Sequence, residues 1–171
     1  GDTVRCAIGQ SDNLLTPIQL ANYCAIIANG GTRYKTHFVK SKISSATGVV
    51  NETGITVEEE TGISEKTFDI VKSGMRRVSL YGGPNRQFNK LKVKTACKTG
   101  TSQVVVNGVK HNNGFLITFA PYDNPEISIG SAIETAGSGS STAEITAAII
   151  DYYYSNNDSE EKAQTDSSLL P

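Results

Sequence analysis

Two runs of alternating residues meet at Asn107-Gly108, and no other feature constrains the fold of this chain as tightly. Asn-Gly is the dipeptide of a two-residue hairpin, whose central positions need left-handed backbone that these two residues tolerate. The flanking runs, Lys92 to Val106 and His111 to Ala120, are therefore expected to pair antiparallel. Pro121-Tyr122-Asp123-Asn124-Pro125 turns the chain again into a third run, Glu126 to Glu134. A three-strand meander must bury a face against something, and helices on either side of it in the sequence are the available cover.

Those helices are marked by their ends. Thr16-Pro17 is a start signal, with Thr as N-cap and Pro at the first helical position. Ile18, Leu20, Ala21, Cys24, Ala25, Ile27 and Ala28 then form a broad apolar stripe, and Asn29-Gly30-Gly31 stops it. The spacing predicts a well-buried helix. A second helix is predicted from a Ser64 cap to about Leu80, with Phe68, Ile70, Val71, Met75 and Val78 as its apolar set. Between the two, Phe38-Val39, Ile43 and Val49-Val50 read as short strand pieces around a Thr47-Gly48 turn, and Glu58-Glu59-Glu60 as a solvated face. Thr142 caps a last helix, Ala143 to about Tyr154, after a small-residue loop from Thr135 to Ser141 read as a flexible connection. Residues 155–171 are Asn-, Asp-, Ser-, Glu- and Gln-rich and are expected to be a disordered polar tail, leaving 1–154 as the folded portion. The predicted class is α+β, an antiparallel sheet flanked by helices.

The first strand carries the chemistry. Period-2 alternation puts Val93, Thr95, Cys97 and Thr99 on one face and Lys92, Lys94, Ala96 and Lys98 on the other. Its tetrad Lys98-Thr99-Gly100-Thr101 offers a mobile cation, two hydroxyls and, at Gly100, a backbone that a ligand can approach closely. Such a set suits a carboxylate held beside a reacting carbonyl, with main-chain N–H groups as fixed donors. Alone, Lys-Thr-Gly is more often a strand end than a site.

The remaining features exclude more than they propose. A net charge of −1 gives no electrostatic case for nucleic acid or an anionic membrane surface. No run approaches the roughly 20 apolar residues of a membrane span, and Gly1 to Arg5 does not read as a signal peptide. Cys6, Cys24 and Cys97 are scattered and form no metal set with the two histidines; they read as small buried hydrophobes, with one disulfide as the minor alternative, and neither metal nor cofactor is expected. His111 reads as a surface or satisfied histidine, since no Gly-x-Ser-x-Gly elbow pairs with it.

Four stretches together resemble the C-terminal part of the transpeptidase domain of penicillin-binding proteins, nearest to the high-molecular-weight class B serine D,D-transpeptidases. They are Ile8-Gly9-Gln10 with Leu15 to Ala21 and Ile27 to Gly31; Ser73 to Val78; Lys98 to Gln103; and Phe115 to Pro121 with Asp123-Asn124-Pro125 and Ile127 to Glu134. The resemblance implies a β-lactamase/transpeptidase-like fold present only in its C-terminal part. It implies that Lys98 lies beside serine residues of the active site and that Thr99 and Thr101 hold a substrate carboxylate. It further implies that the Thr101 backbone N–H is an oxyanion donor and that Gly100 keeps the approach open. D-Ala-D-Ala stem peptides, β-lactam antibiotics and the rest of the same domain are the implied partners, at the extracytoplasmic face of a membrane to which an upstream segment anchors the protein. One departure is Cys97, where the family pattern has glycine.

The family's mechanism needs a Ser-x-x-Lys nucleophile and a Ser-x-Asn loop. Ser11-Asp12-Asn13 spells the second, but in the lead-in to the first long helix, and is read as a chance match. Ser159-Glu160-Glu161-Lys162 spells the first, but in the polar tail, and is rejected. The expectation is thus a fragment that supplies the carboxylate and oxyanion strand without the nucleophile. It should be inactive alone, with an unpaired edge on the Glu126–Glu134 strand through which it can self-associate. An inactive penicillin sensor and a serine β-lactamase of the same fold are the alternatives; the segment from Gln10 to Gly31 and the C-terminal strands argue against the latter. A non-enzymatic adhesion or scaffold module is the remaining one.

Overall fold

The computed structural model describes residues 2–7, 9–10 and 14–167. Its centre is the expected meander: β5 (Ala96–Val106), β6 (Val109–Ala120) and β7 (Ile127–Ile133), antiparallel in the order β5-β6-β7. Asn107 and Gly108 adopt positive φ at the turn, 51° and 77°. The register pairs Lys98 with Ile117, Gly100 with Phe115 and Thr101 with Gly114. β5 starts later than expected. Lys92 to Thr95 precede the ladder, where Thr95 O accepts from Arg76 Nη1 at 2.8 Å and Lys94 O from the Tyr122 N–H at 2.8 Å.

Helices cover both faces of the sheet, which explains why Ala96 and Cys97, adjacent and on opposite faces, are both fully buried. On one face α2 (Pro17–Ala28) and α3 (Glu65–Tyr81) bury Cys24, Ile27, Ala28, Phe68 and Met75 against Ala96, Ile117 and Phe119. On the other, α4 (Asn85–Phe88) and α5 (Ala143–Ser167) bury Phe88, Ala143 and Ala147 against Cys97 and Leu116. A short helix α1 (Asp2–Ala7) precedes α2.

Capping follows the sequence signals. Thr16 Oγ1 accepts from the Gln19 N–H while the Gln19 side chain accepts from the Thr16 N–H, a reciprocal capping box, and Ser64 accepts from the Thr67 N–H at the start of α3. Burial departs from expectation in places. Ile18 is exposed and α2 is buried only toward its C-terminal half. Ile70 and Val71 of α3 also face solvent, and Ser79 takes a core position bonded to the Thr95 hydroxyl.

The excursion between α2 and α3 is two small ribbons: β1 (Thr32–Tyr34) with β4 (Val57–Glu60), and β2 (Ser41–Ile43) with β3 (Val50–Glu52). The acidic run is strand, and it is solvated as expected, all of its residues being exposed. Arg33, opposite Glu59, pairs with Glu59 at 3.3 Å and Glu58 at 3.7 Å, an attraction a charge run read alone does not reveal. Phe38-Val39 is not a strand. The last helix continues past Tyr154 to Ser167, through the segment expected to be disordered. No Pro or Gly interrupts residues 155–167, and extending a helix costs far less than starting one.

Candidate functional site

The tetrad lies on the outer edge of the sheet, since β5 pairs only with β6 among the described residues. Which backbone groups face outward follows from one side chain. Gln10 Nε2 donates to Thr101 O at 2.9 Å, and Gln10 Oε1 accepts from the Gln103 N–H at 3.4 Å. The N–H and C=O of a strand residue point to the same side and alternate along the chain. Thr99, Thr101 and Gln103 therefore direct both groups to the open edge, and Lys98, Gly100 and Ser102 direct theirs to β6. The Thr101 N–H thus faces outward.

Side chains sort by face. Lys98 shares the α2/α3 face with its partner Ile117, is exposed, and its Nζ donates to Thr99 O at 2.5 Å, across the outer edge. Thr99 and Thr101 share the opposite face. Thr101 Oγ1 accepts from the Gly139 N–H at 3.1 Å, which leaves its own proton to donate to an anion. The positive charge and the hydroxyls thus flank one edge from two sides.

Gly139 opens a 3₁₀ turn (Gly139–Thr142), and this loop is packed where flexibility was expected. A methyl group on Gly139 would overlap the backbone of Gly100 and the Phe115 carbonyl, and one on Gly114 would overlap the Ser138 carbonyl. Glycine at 114 and 139 lets the loop close against the back of the tetrad. Gly100 itself has ordinary clearance, a Cβ there lying 3.5 Å from Phe115 Cβ.

Cys97, the departure from the family pattern, is buried against the α4/α5 layer and does not reach the tetrad's open edge. Cys24 is also buried, Cys6 is exposed against expectation, and none of the three is joined in a disulfide. Ser11-Asp12-Asn13 lies outside the described residues. Ser159 to Lys162 lie in the backbone of α5. His111 stands opposite Val104 toward the hairpin turn, well along β5 from Lys98. Among the described residues no cluster of His, Cys, Asp and Glu could hold a metal, and no helix is long and apolar enough to cross a membrane. A groove of about 510 Å³ between α4 and α5, lined by Arg86, Lys90, Glu144 and Asp151, lies behind the sheet. Sequence reasoning missed Gln10 and Gly139. Gly9-Gln10 had stood out only as part of a resemblance, with no role attached to either residue.

The sequence model of the penicillin binding protein transpeptidase domain matches residues 1–151. The chain is 33% identical to penicillin-binding protein 2A of Bacillus subtilis, over 93% of this chain and 24% of that protein. It is 30% identical to the peptidoglycan D,D-transpeptidase MrdA of Acinetobacter baumannii, over 90% of this chain and 24% of that protein. Among solved structures it is similar to penicillin-binding protein PBP2 of Helicobacter pylori, with a TM-score of 0.72 and 26% identity over 91% of this chain and 27% of that one. The chain thus spans about a quarter of the length of the curated relatives it matches.

Proposed function

The chain belongs to the family of penicillin-binding protein transpeptidase domains, and from that premise we propose that it is the carboxylate- and oxyanion-binding part of a serine D,D-transpeptidase that cross-links peptidoglycan stem peptides. The nucleophile lies in another part of the same domain. In the intact protein a serine attacks the penultimate D-Ala carbonyl, and the carbonyl oxygen becomes an oxyanion. The Thr101 N–H donates to it, a contact of the kind whose loss costs about 3–4 kcal/mol in acyl transfer. Terminal D-Ala leaves, and an amine of a neighbouring stem peptide takes the acyl group.

Lys98 supplies positive charge beside the serine residues, and the Thr99 and Thr101 hydroxyls receive the terminal carboxylate. Thr101 is suited to this because its oxygen already accepts from Gly139 and has only its proton to give. The observation that carries the reading is the outward Thr101 N–H on an open strand edge, with Lys98 and two hydroxyls around it. The same site takes a β-lactam, whose strained carbonyl and carboxylate reproduce the two features the edge recognises. The working protein is held at the extracytoplasmic face of the cell membrane by a segment outside these 171 residues.

Intact mass before and after exposure to benzylpenicillin tests this. The 171-residue chain should gain no mass, and the longer protein that carries it should gain one covalent adduct. An adduct on the short chain would mean a reactive serine within it, with Ser11 the first suspect, and would overturn the placement of the nucleophile. No adduct on the longer protein would favour a non-enzymatic module.

A further inference from the structure

We propose that Gln10 is a specificity-determining residue that holds the acceptor half of the β5 edge until a strand-like acyl donor displaces it. The inference rests on the reading of β5 as the substrate strand. The Gln10 side chain is a primary amide, chemically a peptide group, and it bonds β5 as a neighbouring strand would. Its Nε2–H donates to Thr101 O at 2.9 Å and its Oε1 accepts the Gln103 N–H at 3.4 Å. The backbone delivers it there by design of the local turn. The Gly9 N–H donates to Cys6 O at 3.0 Å at the end of α1, and Gly9 turns with φ +78°, a conformation that side-chain-bearing residues seldom adopt.

The consequence follows from antiparallel pairing. A ligand residue directly opposite Thr101 on the open edge exchanges two bonds with it. The ligand's carbonyl accepts from the Thr101 N–H, and the ligand's own N–H donates to Thr101 O. If that carbonyl is the reacting one, the N–H of the same residue is the group competing with Gln10 Nε2. Both groups approach Thr101 O from the open edge, so acyl donors bearing this amide compete with the glutamine side chain there and donors lacking it do not. The site therefore has an internal competitor that selects for ligands able to replace one strand-edge hydrogen bond with a better one.

The test uses the longer protein that carries this segment, and compares acylation by benzylpenicillin with acylation by imipenem. The first has an acylamino N–H beside its reacting carbonyl, and the second has a hydroxyethyl group there. Gln10→Ala should raise the second-order acylation rate for benzylpenicillin by about threefold to tenfold, the span of one net hydrogen bond, and leave imipenem unchanged. Gln10→Met, closer in volume, replaces it if a thermal melt shows the alanine variant unfolded. Equal changes for both antibiotics, in either direction, would show that Gln10 only stiffens the strand and would overturn the proposal, as would no change for either. If the unsubstituted protein takes no adduct from either compound, the transpeptidase reading itself fails.

Discussion

Burial pushes the Cys24 thiol from an ordinary 9.0 up to about 12, with a further push from Cys97 nearby. It pushes Cys97 up to about 11, against the opposing pull of a Ser79 hydrogen bond and the charges of Lys98 and Arg76. Neither thiol forms thiolate at neutral pH, so iodoacetamide at pH 8 should label Cys6 in the folded chain and reach the other two only in urea. The sign of the pH effect follows. Below about 9 both folded and unfolded chains keep these protons and nothing is lost. Between about 9 and 11 the unfolded chain releases them while the folded chain does not, so stability falls by about 1.4 kcal/mol per pH unit for each thiol. Urea midpoints should drop over that window, and less so in a Cys24→Ala, Cys97→Ala variant. At this scale the sequence was readable where chemistry is local. Lys98, Thr99, Gly100 and Thr101 are consecutive, and period-2 alternation assigns their faces. Gln10 was not readable as a partner of Thr101, because 91 residues separate them and no local pattern encodes a side-chain amide on a distant strand edge.

Elements were legible where their ends carry caps. Thr16 and Ser64 marked two helix starts, and Asn107-Gly108 marked the hairpin. Their packing was less so, because which face of α3 is covered depends on where the sheet lies. Ile70 looked as apolar as Phe68 in the stripe but is 65% exposed, while Phe68 is 5% exposed. The contact of α2 with β7 is set by a residue with no side chain. A Cβ on Gly130 would lie 2.6 Å from Pro17 O and 2.7 Å from Ala21 N, both backbone atoms that cannot rotate away. Ser128 Oγ fixes the same seam by donating to Ala21 O at 3.0 Å. Gly130→Ala should force α2 off the sheet and destabilise the chain by about 1–3 kcal/mol, the usual cost of overpacking, read as a lower urea midpoint. A neutral outcome would mean that α2 docks more loosely than the distances state.

At the scale of the whole molecule, three layers of helix, sheet and helix are complete around β6 but, among the described residues, stop at both outer strands. The outward groups of Thr101 and Gln103 fix the parity of the sheet. Gly114, Leu116 and Thr118 must bond to β7, which leaves the N–H groups of Ser128, Gly130 and Ala132 on its outer edge. Ile145, Ile149 and Tyr152 form an exposed stripe on α5 as well, 55%, 47% and 72% accessible. An open edge of this sort pairs with another strand when one is available. Light scattering should show the 171-residue chain associating as its concentration rises. Ala132→Pro should return it to monomer without loss of helix signal, since the lost N–H serves no internal ladder bond. Association unchanged by that substitution would assign it to the α5 stripe instead. Composition and periodicity identified the α+β class with helices flanking the sheet, but not which helices cover which face; that emerged only from the packing around Ala96 and Cys97.

The seating of Gly139 against the back of Gly100 ties the position of the tetrad edge to a residue outside the tetrad. On the proposed reading, antibiotic and natural peptide would meet the same donors and the same cation, so changing those groups would penalise both. A bulkier residue at 139 would overlap the Gly100 backbone and strain the bond from the Gly139 N–H to Thr101 Oγ1, moving the edge and changing what its hydroxyl offers together. The geometry of this edge can therefore be changed from the rear of the strand with Lys98, Thr99 and Thr101 all left in place.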